Sequence, residues 1–194
     1  MKKSTLIILA IVAMVIVVWA ISGYNGLVSK EESVNQTWAN VESAYQRRMD
    51  LIPNLVNTVK GYAEHEKETL QAVTDARTKA TSINIDPSTA TPEQMEAWMS
   101  AQHSMSSALG RLIAVSESYP ELKANENFRD LQAQLEGTEN RIKVERDRYN
   151  AAVKEYNVKI RRFPSNILAS LFGFDKRTMF EAQEGAAEAP EVKF

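Results

Sequence analysis

The sequence predicts an all-α protein: an N-terminal transmembrane helix followed by an elongated antiparallel four-helix bundle. Three observations carry that expectation. Residues 6–21 are sixteen consecutive apolar positions close to the N-terminus. Beyond them, apolar residues recur at spacings of three, four and seven in four successive stretches, which is the period of one helical face. No segment alternates apolar and polar residues with period two, so strands are not expected.

Thr5, Ser22, Gly23 and Tyr24 extend the apolar run to about 20 residues, or ~30 Å of helix, enough to cross a bilayer. Leu6, Ile11, Ile16, Trp19, Ile21 and Tyr24 mark this anchor, with Trp19 and Tyr24 near the end where amphipathic rings favour the interface. The alternative is a cleaved signal peptide. Lys2 and Lys3 fit its basic start, and Ala20-Ile21-Ser22 fits its cleavage site. The run is longer than the roughly 7–15 apolar residues of such a peptide, so an anchor is the expectation. Lys2, Lys3 and the α-amino group precede it, whereas only Lys30, beside Glu31 and Glu32, follows before Asn40. The positive-inside rule then leaves residues 1–4 in the cytoplasm, passes 5–24 once through the membrane, and exports the rest.

Residues 25–163 hold the four amphipathic stretches. The first carries Leu27, Val34, Trp38, Val41, Tyr45 and Ile52, and the second Leu55, Val59, Tyr62, Leu70, Val73 and Ala80. Between them, Asp50-Leu51-Ile52-Pro53 predicts a tight reversal. Proline suits the first turn of a helix and disfavours helix in the residue before it. The rival is one long helix kinked at Pro53. Asn84, Asp86, Pro87 and Ser88 mark a loop over 82–91. Thr91-Pro92-Glu93-Gln94 is a capping box with proline at the first helical position. It opens a third helix bearing Met95, Met99, Met105, Leu109, Leu112 and Ile113, ended by Tyr119-Pro120. Asn125 can cap the fourth, which carries Phe128, Leu131, Leu135, Ile142, Tyr149, Val153, Tyr156, Ile160 and Phe163 before Pro164 stops it. From 125 to 163 that helix would be ~58 Å long, so the domain is a rod.

Composition narrows the function. The 194 residues include 23 Lys and Arg against 25 Asp and Glu, a formal charge of −2. No basic excess is present to neutralise phosphates, so nucleic acid is not an expected partner. The absence of cysteine excludes disulfides, thiolate metal ligands, a cysteine nucleophile and a lipidated N-terminal cysteine. His65 and His103 cannot make a three-histidine zinc site. His65-Glu66-Lys67-Glu68-Thr69 starts like HExxH but has Thr69 where the second histidine is needed. The seven glycines form no GxGxxG or Walker loop. No catalytic, metal or cofactor residue is assigned, and the chain is not expected to be an enzyme. Asn35-Gln36-Thr37 matches a glycosylation sequon of a kind common by chance.

Some residues on the apolar faces admit two readings. Glu31 and Arg48 fall in register with the first stripe, Glu66 and Arg77 with the second, and Arg146 near the fourth. Buried charges need partners, so these are interhelical ion pairs or a polar seam facing a ligand or second subunit. Gly61, Gly110 and Gly137 lie inside expected helices, where glycine costs up to ~1 kcal/mol against alanine, and suggest close helix contact. The methionines of the third helix are core filling or an adaptable binding surface.

The segment 164–180 gathers Ile167, Leu168, Leu171, Phe172, Phe174, Met179 and Phe180, flanked by Lys159, Arg161, Arg162, Lys176 and Arg177. Four helices of alternating direction bring Pro164 back to the bilayer. This amphipathic segment, with Ile167, Leu168, Leu171, Phe172 and Phe174 as contacts, then lies on lipid, or packs on the bundle or a neighbouring subunit. Residues 181–194, rich in Ala and Glu, read as a disordered acidic tail.

The run Gln46-Arg47-Arg48-Met49-Asp50-Leu51-Ile52-Pro53-Asn54-Leu55-Val56, continued by Val59-Lys60-Gly61-Tyr62-Ala63-Glu64-His65-Glu66, resembles the LemA family of bacterial membrane proteins. Tyr24-Asn25-Gly26-Leu27-Val28, Tyr119-Pro120-Glu121-Leu122-Lys123-Ala124-Asn125, and Glu136-Gly137-Thr138-Glu139-Asn140-Arg141-Ile142 with Arg146 and Arg148-Tyr149-Asn150 support the likeness. It runs from the anchor to about Phe180 and departs only in the acidic tail. The resemblance implies one transmembrane helix and an antiparallel four-helix bundle outside the cytoplasm. It brings no enzymatic activity, cofactor or catalytic residue. Its signature residues read as fold determinants: Arg47, Arg48 and Asp50 at the first reversal, Pro53 and Asn54 opening the second helix, with Lys60 beyond them. Two function classes follow. One is a membrane-anchored, self-associating scaffold or adaptor that meets lipid and other envelope proteins. The other is a sensor or regulator whose bundle binds a ligand or a membrane protease. A hydrolase is a distant third, for want of a nucleophile–base pair or paired carboxylates.

Overall fold

The computed structural model describes residues 3–181. The expected acidic tail, apart from Glu181, lies outside the described residues. Among the described residues six helices form in order: α1 (Lys3–Lys60), α2 (Lys67–Ser82), α3 (Pro92–Ser116), α4 (Pro120–Ala124), α5 (Glu126–Arg161) and α6 (Ser165–Phe172). Among the described residues there is no strand.

The expected reversal at Pro53 does not exist. α1 is one helix of 58 residues with Pro53 inside it, ~87 Å long at 1.5 Å per residue. Proline removes the hydrogen bond to the carbonyl four residues back, at a cost of about 3 kcal/mol. Two features offset that cost. Leu51, Ile52, Leu55 and Val59 around the proline are buried. The carbonyl orphaned by Pro53 belongs to Met49, and Arg77 Nε of α2 donates to it at 3.3 Å. The chain turns later, at Gly61-Tyr62-Ala63, where the Tyr62 and Ala63 amides both donate to the Val59 carbonyl. Arg47, Arg48, Asp50 and Asn54 are therefore mid-helix residues, and Lys60 ends α1.

The other helix boundaries follow local chemistry. Thr91 and Gln94 form the reciprocal capping box at the start of α3. Asn125 Oδ1 accepts from the Phe128 amide at the start of α5. Pro120 takes the first position of α4. Gly110 and Gly137, expected to permit close helix contact, face open space instead. The close approach is at Gly23, where an added Cβ would come within 2.5 Å of Leu168 Cδ1 on α6.

Cross-helix contacts fix the directions. Lys30 meets Glu155 at 2.6 Å and Arg47 meets Gln134 at 3.0 Å, so α1 and α5 run antiparallel. Gln102 reaches the Ala80 carbonyl at 3.5 Å and the Tyr119 hydroxyl donates to Glu66 at 3.0 Å, so α2 and α3 do too. The core divides along the rod. Nearer the apolar run, Leu27, Trp38, Tyr45, Trp98, Tyr149, Val153, Tyr156 and Phe180 cluster. Farther out, Ile52, Leu55, Val59, Leu70, Val73, Met105, Leu112 and Phe128 do. We call these the proximal and distal halves. α2 has 16 residues against the 36 of α5, or ~24 Å against ~54 Å, and its buried residues all belong to the distal core.

Candidate interaction site

The apolar stretch of α1 is bare: none of its most hydropathic 18-residue window is buried. Leu6, Ile11, Ile16, Trp19, Ile21 and Tyr24 are all exposed. The same helix, past Gly26, becomes a core element with Leu27 and Val34 fully buried.

Between the two cores lies a polar layer centred on Arg48, whose side chain is 1% exposed. Its guanidinium donates to Glu139 Oε1 at 2.8 Å, to Ser106 Oγ at 2.8 Å and to Gln102 Oε1. It also sits 5.0 Å from the centre of the Tyr45 ring. A cation held out of water needs this many acceptors. The three come from α3 and α5, so one side chain of α1 sets the register of three helices.

The proximal half is closed by residues 174–181, an extended strap that runs back along α5 after α6. Asn157 Oδ1 accepts from the Arg177 amide and its Nδ2 donates to the Arg177 carbonyl, both at 2.9 Å. Asn150 does the same for Phe180, at 2.8 and 2.9 Å. Seven helical residues span ~10.5 Å and three extended residues span ~10 Å, so the two asparagines meet every third strap residue without distortion. The Tyr149 hydroxyl donates to the Thr178 carbonyl at 3.0 Å, and Thr178 Oγ1 donates to the Ala90 carbonyl at 3.1 Å. Phe180 fills an aromatic pocket of Trp38, Trp98 and Tyr149, with ring centres 5.1–5.9 Å away. Arg146 lies over its ring at 4.9 Å. Arg177 pairs with Glu31 at 2.6 Å. Burial pushes the Tyr149 hydroxyl up to about 12 and also raises Tyr45 and Tyr156. The sequence carries a signal for this groove that periodicity overlooks: the dipeptide Tyr-Asn stands at 149–150 and again at 156–157, two helical turns apart. Helical periodicity alone gives no reason to single out Asn157.

The remaining expected residues scatter. Arg48 and Glu139 are an interhelical pair, whereas Glu31 on α1 pairs with Arg177 of the strap. Glu66, Arg77 and Arg146 have separate partners: Glu66 takes Tyr119, Arg77 the Met49 carbonyl, Arg146 the strap. Asp50 accepts from Gln46, Asn54 receives Thr58 at its carbonyl, and Asn140 is exposed. A cleft of about 90 Å³ between α3 and the strap falls below the ~300 Å³ of ordinary ligand sites. A depression along Lys67, Gln71 and Asp75 on α2 is open to solvent. Among the described residues no three metal-binding side chains come together. In the 164–180 segment, Leu168 packs inward and Phe174 is half-buried against Tyr24, while Ile167, Leu171 and Phe172 face outward.

Sequence comparisons identify the chain's relatives. The family model described as LemA family matches residues 37–194, starting within α1 beyond the apolar run and continuing past Phe180 to the last residue. Magnetosome protein MamQ 2 of Paramagnetospirillum magneticum is 30% identical over 186 residues, covering 87% of this chain and 68% of the relative. Magnetosome protein MamQ of Magnetospirillum gryphiswaldense is 27% identical with the same coverage. Protein LemA of Metamycoplasma hominis is 24% identical over 160 residues, covering 82% of this chain and 69% of the relative. A match over this much of the chain settles its kinship: the protein belongs to the LemA family.

Proposed function

We propose that this protein is a membrane-anchored, non-enzymatic helical scaffold of the bacterial cell envelope that self-associates. One observation carries the reading. A bare apolar helix long enough to cross a bilayer continues without a break into the buried core of a rod. Such a helix holds the rod rigidly on the membrane. In this reading, residues 5–24 cross the inner membrane with the N-terminus in the cytoplasm, and 25–163 form an antiparallel four-helix bundle outside it. A rod with exposed charged faces suits lateral contact with further copies or other envelope proteins. The separate partners of Glu66, Arg77 and Arg146 support a scaffold over a ligand sensor, because each charge is engaged by its own neighbour rather than by a shared group.

The test is the mass of the full-length protein extracted gently from its own membrane. A homogeneous species of many identical copies is the expected result. A monomer overturns self-association, and a fixed-ratio complex with a second protein moves the case to an adaptor or regulator. Topology has its own test, since the chain lacks cysteine. Ser88→Cys in intact cells should react with an impermeant maleimide before lysis; labelling only after lysis would reverse the orientation.

A further inference from the structure

α6 has two faces, and only one is used by the fold. Leu168 and Ala169 are buried, and Leu168 sits against Gly23 of α1. On the other side Ile167 is 52% exposed, Leu171 73% and Phe172 53%, and Phe163 before the helix is 81% exposed. Four large apolar side chains thus stand together on the surface of a rod whose other exposed face is mostly polar. A patch of that kind marks a contact.

Its position says with what. Phe172 meets Tyr24 edge-on at 4.9 Å, and Phe174 does so at 5.7 Å. Tyr24 closes the bare apolar run of α1, so the outward face of α6 continues that run sideways at the level where the run ends. Charge agrees. From 159 to 180 the sequence has Lys159, Arg161, Arg162, Lys176 and Arg177 against one carboxylate, Asp175. Arg177 is committed to Glu31. The other four cations flank the apolar segment in the sequence, on a chain whose net charge is −2. An apolar face flanked by cations is the pattern of a helix lying in the headgroup layer of anionic lipid.

We infer that α6 and Phe163 form a second, interfacial membrane contact, with Ile167, Leu171 and Phe172 in the acyl boundary and Lys159, Arg161, Arg162 and Lys176 on anionic headgroups. The inference rests on residues 5–24 spanning the bilayer. With the span it gives the rod two points of attachment, which fixes the rod's tilt and rotation as a single span cannot.

The experiment uses the full chain in vesicles of equal parts phosphatidylglycerol and phosphatidylcholine. Single cysteines replace Leu171, Val12 or Asp130, each carrying an environment-sensitive fluorophore, and the quencher is a lipid spin-labelled near its headgroup or along its chain. The label at 171 is expected to lose most of its emission to the headgroup-level quencher. The label at 12 should lose its emission to the chain-level quencher, and the label at 130 should keep its own. Replacing phosphatidylglycerol by phosphatidylcholine, or Arg161→Gln with Arg162→Gln, should reduce quenching at 171 and leave it unchanged at 12. A label at 171 that stays bright while 12 is quenched overturns the inference and leaves the span standing. A blue-shifted but unquenched label at 171 overturns it in favour of a neighbouring subunit. A bright label at 12 removes the span and this inference together.

Discussion

Around Trp38 the core is aromatic: Trp38, Tyr45, Trp98, Tyr149, Tyr156 and Phe180 gather in the proximal half. Around Leu55 it is mostly aliphatic, built from Ile52, Leu55, Val59, Leu70, Val73, Met105 and Leu112 with the single buried ring of Phe128. The distal half is closed by α2, a chain neighbour of α1 across a short turn. α2 stops at Ser82, and the proximal half is closed by a strap more than a hundred residues from the α1 segment it covers: Arg177 meets Glu31, and Phe180 meets Trp38. Wide aromatic rings and asparagine-held backbone fill the space a missing helix leaves. The half nearest the apolar run of α1 is therefore completed last along the chain, and by polar as much as apolar contacts.

That contrast can be broken in predictable places. Phe180→Ala should cost about 3 kcal/mol, read by hydrogen exchange as lost protection in the proximal parts of α1 and α5 with the distal half unchanged. Glu139→Ala should cost about 2 kcal/mol, because it strips a half-exposed carboxylate from a cation that is itself 1% exposed. It sits between the halves, so thermal unfolding followed by circular dichroism should show both destabilised together. Raising the pH acts on the proximal half first. Burial holds the Tyr45, Tyr149 and Tyr156 hydroxyls above their ordinary value, Tyr149 up to about 12. Their contribution is whole below a pH of about 10, the ordinary tyrosine value. It is lost as the pH rises through the folded value, because the unfolded chain ionises first. Tyrosinate absorbance should appear together with strap release in that window. Arg77→Met should cost about 1 kcal/mol by freeing the Met49 carbonyl, and its exchange signature belongs to the distal half around Pro53. Gly110→Ala should raise stability by up to ~1 kcal/mol, since the added methyl meets open space in a helix interior.

Most of the helices were legible because periodicity and caps are local. The Thr91–Gln94 box and the Asn125 cap appear where the sequence puts them, whereas Tyr119-Pro120, expected only to end the third helix, also opens the short α4. Pro53 was misleading for a reason the sequence does not contain. The carbonyl it orphans is satisfied by Arg77, 28 residues on, and only the folded chain brings them together. The stripe Met49, Ile52, Leu55, Val59 in fact runs unbroken across the proline, and the glycine that turns the chain, Gly61, stands eight residues later. The charged residues on apolar faces were correctly expected to need partners, as Arg48 and Glu31 have. The strap was the hardest to see. Extended segments held by side chains have no period of their own, and only the repeated Tyr-Asn pair of α5 hinted at a backbone to be gripped.

The most direct test is peptide-resolved hydrogen exchange on the full-length chain beside one ending at Phe172, both in lipid vesicles. If the strap is the fourth wall of the proximal half, the shorter chain loses protection over 27–45 and 142–160 and keeps it over 49–59, 67–82 and 105–112. Equal loss in both halves, or none in either, would contradict the account.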